Sequence, residues 1–227
     1  MRVTDSFWAW LGWMSVLPGI WRNCRIFGPV QTSYAAAEKE LWLTIDDGPE
    51  PLQTPAVLDV LKSSGVRATF FVIGRKVREH PDLCRRMIEE GHSVQNHTES
   101  HPAGTFWATL PARARREIQE CSEAIFQATG CCPREFRAPV GMANPFVHLV
   151  SKEMGLRIVG WSATGHDGVF HDPTSQIHKI QHAAQPGGIV LVHESHLLGM
   201  REGERACTLL KLLNTLKKDG YSFRNNV

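Results

Sequence analysis

The sequence predicts an α/β fold: an incomplete barrel of parallel strands, in one domain. Three observations predict it. From residue 41 onward, short β-prone apolar runs alternate with helical patterns, as βαβ units and a parallel sheet require. Polar side chains cluster after the carboxyl ends of nearly every run: Asp46 and Asp47, His97, Arg137, Asp167 beyond Trp161, and His193. No internal repeat or linker interrupts 41–227. An open doubly wound sheet also fits the alternation, but it would spread these residues along an edge. A barrel brings them to one mouth.

The elements follow in order. LWLTI (41–45) is a β-prone run closed by the turn signal DDGP. Residues 54–65 form a helix with Thr54 as N-cap, Pro55 in the first turn and Gly65 past its end. ATFFVIG (68–74) is a buried strand, and 75–91 a single helix ending at Gly91. SVQNH (93–97) is a short strand. Residues 110–130 make the clearest amphipathic helix, with apolar residues near i, i+4 and i+7. A strand end at 135–139, a helix at 145–155 and a strand at 156–161 come next. A helix at 174–185, a strand at 187–193 and a last helix at 203–219 complete the pattern.

Composition agrees. At 227 residues the chain is long enough for a real core in one domain. Its 42% apolar and 21% charged residues exclude disordered and fibrous classes. A net charge of +2 supplies no electrostatic case for nucleic acid. Six cysteines lack any C-x-x-C pair, so a zinc ribbon is unsupported and reduced buried thiols are expected.

Residues 1–40 stand apart from the domain at 41–227. Residues 7–21 carry no charge and hold four of the seven Trp. That run is shorter than the roughly 20 residues of a spanning helix, and Pro18 would kink its end. Three readings stay open: the end of a membrane anchor, a Trp-rich interfacial helix, or a cap packed on the domain. Cytoplasmic and envelope-associated locations both remain compatible with it, and oligomeric state is open.

Chemistry concentrates at the strand ends. Asp46 and Asp47 are adjacent, and neighbours on an extended chain point opposite ways. They serve one site only if the chain turns, and Gly48-Pro49 is expected to turn it. His97 and His101 are four apart, the spacing of two-His metal motifs on a helical turn. Beside a carboxylate they make a His₂–Asp set with open positions for water, the pattern of catalytic zinc. His193 ends IVLVH, either as a satisfied core residue or as a general acid facing the mouth. Arg137 in FRAP is either structural or the orienter of a carboxylate.

TIDDGP (44–49), NHTESH (96–101), FRAP (136–139), GWSATGHD (160–167) and IVLVHE (189–194) together resemble the ordered motifs of the polysaccharide deacetylases. These are the NodB-homology enzymes of carbohydrate esterase family 4. The resemblance covers roughly residues 40–220 and implies a deformed (β/α) barrel of about seven parallel strands. It implies a divalent metal, zinc before cobalt, and hydrolysis of acetyl groups from N-acetylated sugars or envelope polysaccharide. It makes Asp46 the general base and His193 the general acid. Asp47, His97 and His101 become the ligands of a metal whose water attacks the amide carbonyl. Arg137 corresponds to the residue that orients the base. Val140 supplies an oxyanion N–H, and Trp161, Leu191 and Pro139 line the acyl pocket.

Three departures accompany it. Val140 stands where an aromatic residue is common. Asp167 is the available acid for the partner of Arg137. Glu194 follows the acid His where Asp is common, and is read as a supporting or surface residue. Two other functions stay open: deformylation of a lipid-linked amino sugar or opening of a small imide, and a silent glycan-binding protein. The intact ligand set argues against the last.

Overall fold

A computed structural model describes residues 21–167, 172–194 and 203–224. Except for Trp21, the Trp-rich run at 7–21 lies outside them. Eight strands are present among the described residues: β1 Glu40–Gly48, β2 Thr69–Val72, β3 Ser93–Asn96, β4 Glu135–Phe136, β5 Arg157–Ile158, β6 Ala163–Thr164, β7 Gly188–His193 and β8 Ser222–Arg224. Seven α-helices accompany them among the described residues: α1 Thr54–Ser64, α2 Gly74–Glu79, α3 Pro81–Glu89, α4 Pro111–Thr129, α5 Pro145–Glu153, α6 Pro173–Ala183 and α7 Glu204–Lys218.

The strands run β5-β4-β3-β2-β1-β7-β6, with β8 beside the start of β1, and every pair is parallel. β5 and β6 are opposite ends of this sheet, yet only residues 159–162 separate them. Such a link spans at most ~18 Å, so the sheet must curl until its ends meet. Residues 31–34 stitch the remaining seam. The Gln31 N–H donates to the Ile158 carbonyl, the Gly160 N–H donates to the Gln31 carbonyl, and the Tyr34 N–H donates to the Gly187 carbonyl.

Alternation along the strands separates two environments. Outward residues Leu41, Leu43, Ile45, Phe70, Val72 and Val190 pack beneath the helices with Leu58, Leu61, Leu212 and Leu213. A second outer cluster joins Phe106, Ile118, Phe136, Val147 and Ile158. Inward, Trp42, Phe71, Val159 and Ile189 close the barrel's floor. Further along β1 and β7 the inward positions are Thr44, Asp46 and His193, and Arg137 follows β4 beside them. The mouth therefore stands on a packed apolar plug.

Several local expectations change. The helix at 75–91 is two helices, because Pro81 lacks the N–H to continue α2 and starts α3 instead. Gln53, not Thr54, is the N-cap of α1; the Thr54 hydroxyl accepts from the Glu50 N–H and donates to Glu194. The strand at 156–161 shortens to β5, because beyond it Gln31 becomes the partner. β6 and β8, two and three residues long, were too short for a periodic signal. Cys24, Cys84 and Cys121 are buried thiols, but Cys131, Cys132 and Cys207 are exposed. No described helix is long and apolar enough to cross a membrane.

Candidate active site

Asp46 and Asp47 both reach the mouth. The β1–β2 register shifts between Asp46 and Gly48, and Asp47 takes φ 72°. This bulge lets neighbouring carboxylates face one imidazole. His97 Nε2 lies 3.6 Å from Asp46 Oδ2 and 3.5 Å from Asp47 Oδ1. The turn thus falls at Asp47 itself, one residue before the expected Gly48-Pro49. Aspartate tolerates this left-handed backbone better than most residues. Lys76 Nζ fixes it by donating to the Asp47 carbonyl at 2.8 Å.

His97 follows β3. Its Nδ1 donates to the Arg137 carbonyl at 2.8 Å, which leaves Nε2 to face the aspartates. His101 Nε2 lies 3.4 Å from Asp47 Oδ1. The two imidazoles do not share a helical turn. Pro102 bars His101 from helical geometry, and Thr98 (φ 70°) and His101 (φ 51°) fold the chain back instead. The Thr98 N–H donates to Asn96 Oδ1, and the His101 N–H donates to Thr98 Oγ1. Helix α4 anchors the turn: Glu117 accepts from the Ser100 N–H and hydroxyl, and the Ile118 carbonyl accepts from Asn96.

Ligand atoms of Asp47, His97 and His101 all lie within 4.8 Å of one another, the one such group among the described residues. The donor set fits a divalent transition metal: one carboxylate and two imidazole nitrogens. Burial and the neighbouring His97 push His101 down to about 4, so its lone pair is free at neutral pH. Burial would raise Asp47, but the His97 hydrogen bond and the surrounding imidazoles hold it well below the usual carboxylate range.

Arg137 is fully buried beneath this group. It donates to Asp46 Oδ1 at 2.6 Å, Thr44 Oγ1 at 2.9 Å, the Gly160 carbonyl at 2.8 Å and the Val159 carbonyl at 3.2 Å. Its guanidinium lies 4.2 Å from the Phe71 ring centre. A charge so deep persists because its donors are met.

His193 stands beside Asp46 in register across β1 and β7. Asp167 grips it twice, through Nδ1 at 2.8 Å and the backbone N–H at 2.7 Å. Burial alone would lower the imidazole. The Asp167 charge and hydrogen bond, with Asp47 and Asp46, push it up to about 9. Asp167 is therefore the partner of His193 rather than of Arg137, whose donors are already committed. Arg205 on α7 fixes Asp167, donating to its carbonyl at 2.8 Å with its Nη1 3.7 Å from Oδ2.

Pro139 and Val140 lie in a single turn, Pro139–Gly141, with Val140 at φ 51°. The Trp161 ring packs on Gly141, where a Cβ would come within 2.5 Å of it. Leu191 is buried between Thr44 and Thr164. Glu194 is wholly buried rather than at the surface. Its Oε2 accepts from Thr54 and fills the space a Gly48 side chain would need.

Thr44 lies inside TIDDGP and Glu194 inside IVLVHE, but the motifs do not show the Thr44 contact to Arg137 or the Glu194 contact to Thr54, and Arg205 lies outside every motif. Arg205 did leave a trace: with Leu209, Leu212 and Leu216 it occupies the apolar stripe of its helix, where a charge needs a partner.

A curled parallel α/β barrel with a two-histidine, one-aspartate group at the carboxyl ends of its strands defines a class of hydrolase-like folds. The polysaccharide deacetylase family matches residues 33–159, and the chain belongs to that family. It is 41% identical over 171 residues to the chitooligosaccharide deacetylase of Bradyrhizobium sp. (strain ANU 289), covering 75% of this chain and 76% of that one. It is 37% identical over 189 residues to the peptidoglycan-N-acetylglucosamine deacetylase PgdA of Listeria monocytogenes, covering 83% of this chain. The match spans only 38% of PgdA's length. Among solved structures, the Bc1960 peptidoglycan N-acetylglucosamine deacetylase superposes with a TM-score of 0.78 at 28% identity, covering 86% of this chain and 90% of that one.

Proposed function

We propose that this chain is a metal-dependent deacetylase that hydrolyses the N-acetyl amide of amino sugars in peptidoglycan or a chitin-like oligosaccharide. The observation that carries this reading is the convergence of Asp46, Asp47, His97, His101 and His193 at one mouth. Asp47, His97 and His101 would hold a divalent cation, zinc by donor chemistry, which supplies Lewis acidity and a water of lowered pKa.

The chain's own groups divide the remaining work. Asp46 takes the proton of the attacking water. Arg137 holds the Asp46 carboxylate in place through Oδ1, leaving Oδ2 toward the mouth. His193, protonated at neutral pH by its pairing with Asp167, gives its proton to the leaving nitrogen as the C–N bond breaks. The Val140 N–H, in a rigid turn beside the mouth, donates to the oxygen that becomes anionic. Trp161, Leu191 and Pro139 enclose the acetyl methyl and exclude water from it.

Acetate release from chitotetraose and from peptidoglycan, with zinc supplied, tests the reading. Asp46→Asn keeps an acceptor for Arg137 but loses the proton acceptor. Its turnover is expected to fall about 10²–10⁴-fold. Equal acetate release by both proteins would overturn the assignment.

A further inference from the structure

Around the mouth lies an apolar and cationic rim that the reaction above does not use. In a parallel α/β barrel every loop from a strand to the following helix lies at the mouth end. Leu52 stands between β1 and α1, and Leu110 stands between β3 and α4. They are 54% and 66% exposed, which leaves large apolar surface in water. Trp21 joins them from the amino-terminal side. The Asn23 N–H donates to the Gly141 carbonyl, in the turn between β4 and α5, and so brings Trp21 to the same end, 61% exposed. Single exposed leucines are ordinary; what sets this rim apart is the charge beside it and the chain that enters there.

Arg22 adjoins Trp21, Arg75 lies in the first turn of α2 and Arg113 in the first turn of α4. All three are exposed, and none has a carboxylate partner among the described residues; Arg113 reaches only the Thr105 hydroxyl, at 3.3 Å. The acids of the same loops are engaged. Glu50 faces Lys76 at 3.6 Å, Glu99 pairs with Arg78 at 2.5 Å, Asp172 caps α6, and Glu204 at the start of α7 also has a partner. Residues 7–21, without charge and with four of the seven Trp, join the domain at this rim through Trp21. Indole rings favour the boundary between headgroups and acyl chains. Leucines enter that boundary, and arginines beside them attract anionic headgroups.

We propose that the mouth end of the barrel docks on an anionic lipid bilayer. Trp21, Leu52 and Leu110 meet the acyl boundary, and Arg22, Arg75 and Arg113 lie among the headgroups. The inference goes beyond the deacetylase reading, because docking is read by binding and needs no turnover.

Flotation of the whole chain with vesicles tests it. The vesicles are phosphatidylcholine alone, or phosphatidylcholine mixed with phosphatidylglycerol. The parent is expected to bind the mixed vesicles roughly tenfold more tightly than the neutral ones, and that preference should shrink in high salt. Leu52→Ser combined with Leu110→Ser should weaken binding to the mixed vesicles about tenfold. Arg75→Gln combined with Arg113→Gln should weaken it about as much there and leave the neutral vesicles unaffected. All four positions are exposed, so melting curves should match the parent. Phe126→Ser removes an exposed ring at the opposite end of α4 and should bind as the parent does. No binding to either vesicle overturns the docking face. Full binding by both paired variants also overturns it, leaving residues 7–21 as the whole attachment. A dimer in solution that the leucine pair dissolves, with no vesicle binding, overturns it in favour of a second copy of the chain.

Discussion

At the scale of single residues, two buried acids beside the reaction centre make stability fall as pH rises, by different routes. Asp167 raises His193, so that pair stabilises the fold fully below about 6.5 and loses its contribution as pH climbs through about 9. The same pairing keeps His193 a proton donor at neutral pH. Asp167→Asn is therefore expected to move the alkaline limb of the rate profile to lower pH and to cut turnover most at pH 8; an unmoved limb would remove Asp167 from this role. Glu194 reaches the same sign through burial of its own carboxyl rather than through a partner. Burial raises it from 4.5 to about 8, so folding binds a proton and stability falls as pH rises across that window. Glu194→Gln retains an acceptor for Thr54 without that penalty. Its unfolding free energy should gain on the parent between pH 5 and pH 8, by on the order of a few kcal/mol at most. A constant gap would show that Glu194 is ionised in the fold.

At the scale of elements, the ligand turn shows what a motif conveys and what it omits. Spacing was enough to pair His97 with His101, because both ring positions are set by their separation from the end of β3. Spacing was not enough to give the backbone path. Two left-handed residues and Pro102 replace the expected helical turn, and the Asn96 and Ser100 that frame it are anchored on α4, some 20 residues downstream. Likewise, TIDDGP located the aspartates, but the bulge at Asp47 depends on pairing with β2. Asn96 joins these parts: Oδ1 accepts from the Thr98 N–H while its amide donates to the Ile118 carbonyl and Ser122. Asn96→Ala should weaken zinc binding roughly 10- to 100-fold in a competition titration, although Asn96 touches no ligand atom. Asn96→Asp, which keeps the Thr98 acceptor, should lose less. Equal zinc affinity for the alanine variant and the parent would show that the turn holds without its anchor.

At the scale of the whole molecule, the barrel was legible because polar residues recur after successive apolar runs, and only a curled sheet gathers them. Its closure was not legible. Residues 31–34 join strands β5 and β7 across more than 120 positions of sequence, and no local pattern announces that partnership. Gly187 is the tightest point of the seam. It takes φ 75°, and a Cβ there would come within 2.0 Å of the Tyr34 carbonyl oxygen, a backbone atom unable to yield without moving the segment. Gly187→Ala therefore combines left-handed strain with a displaced strap, at a cost of roughly 1–3 kcal/mol. The segment that leads into residues 31–34 carries exposed Arg25, so trypsin should cut there faster in the variant while Tm falls by several degrees. Asn23, in the segment leading into residues 31–34, donates to the Trp161 carbonyl at 3.0 Å. Loosening the seam should therefore also disturb the Trp161 wall of the mouth, raising KM more than it lowers kcat. An intact melting curve with unchanged cleavage at Arg25 would mean that the barrel closes without the strap.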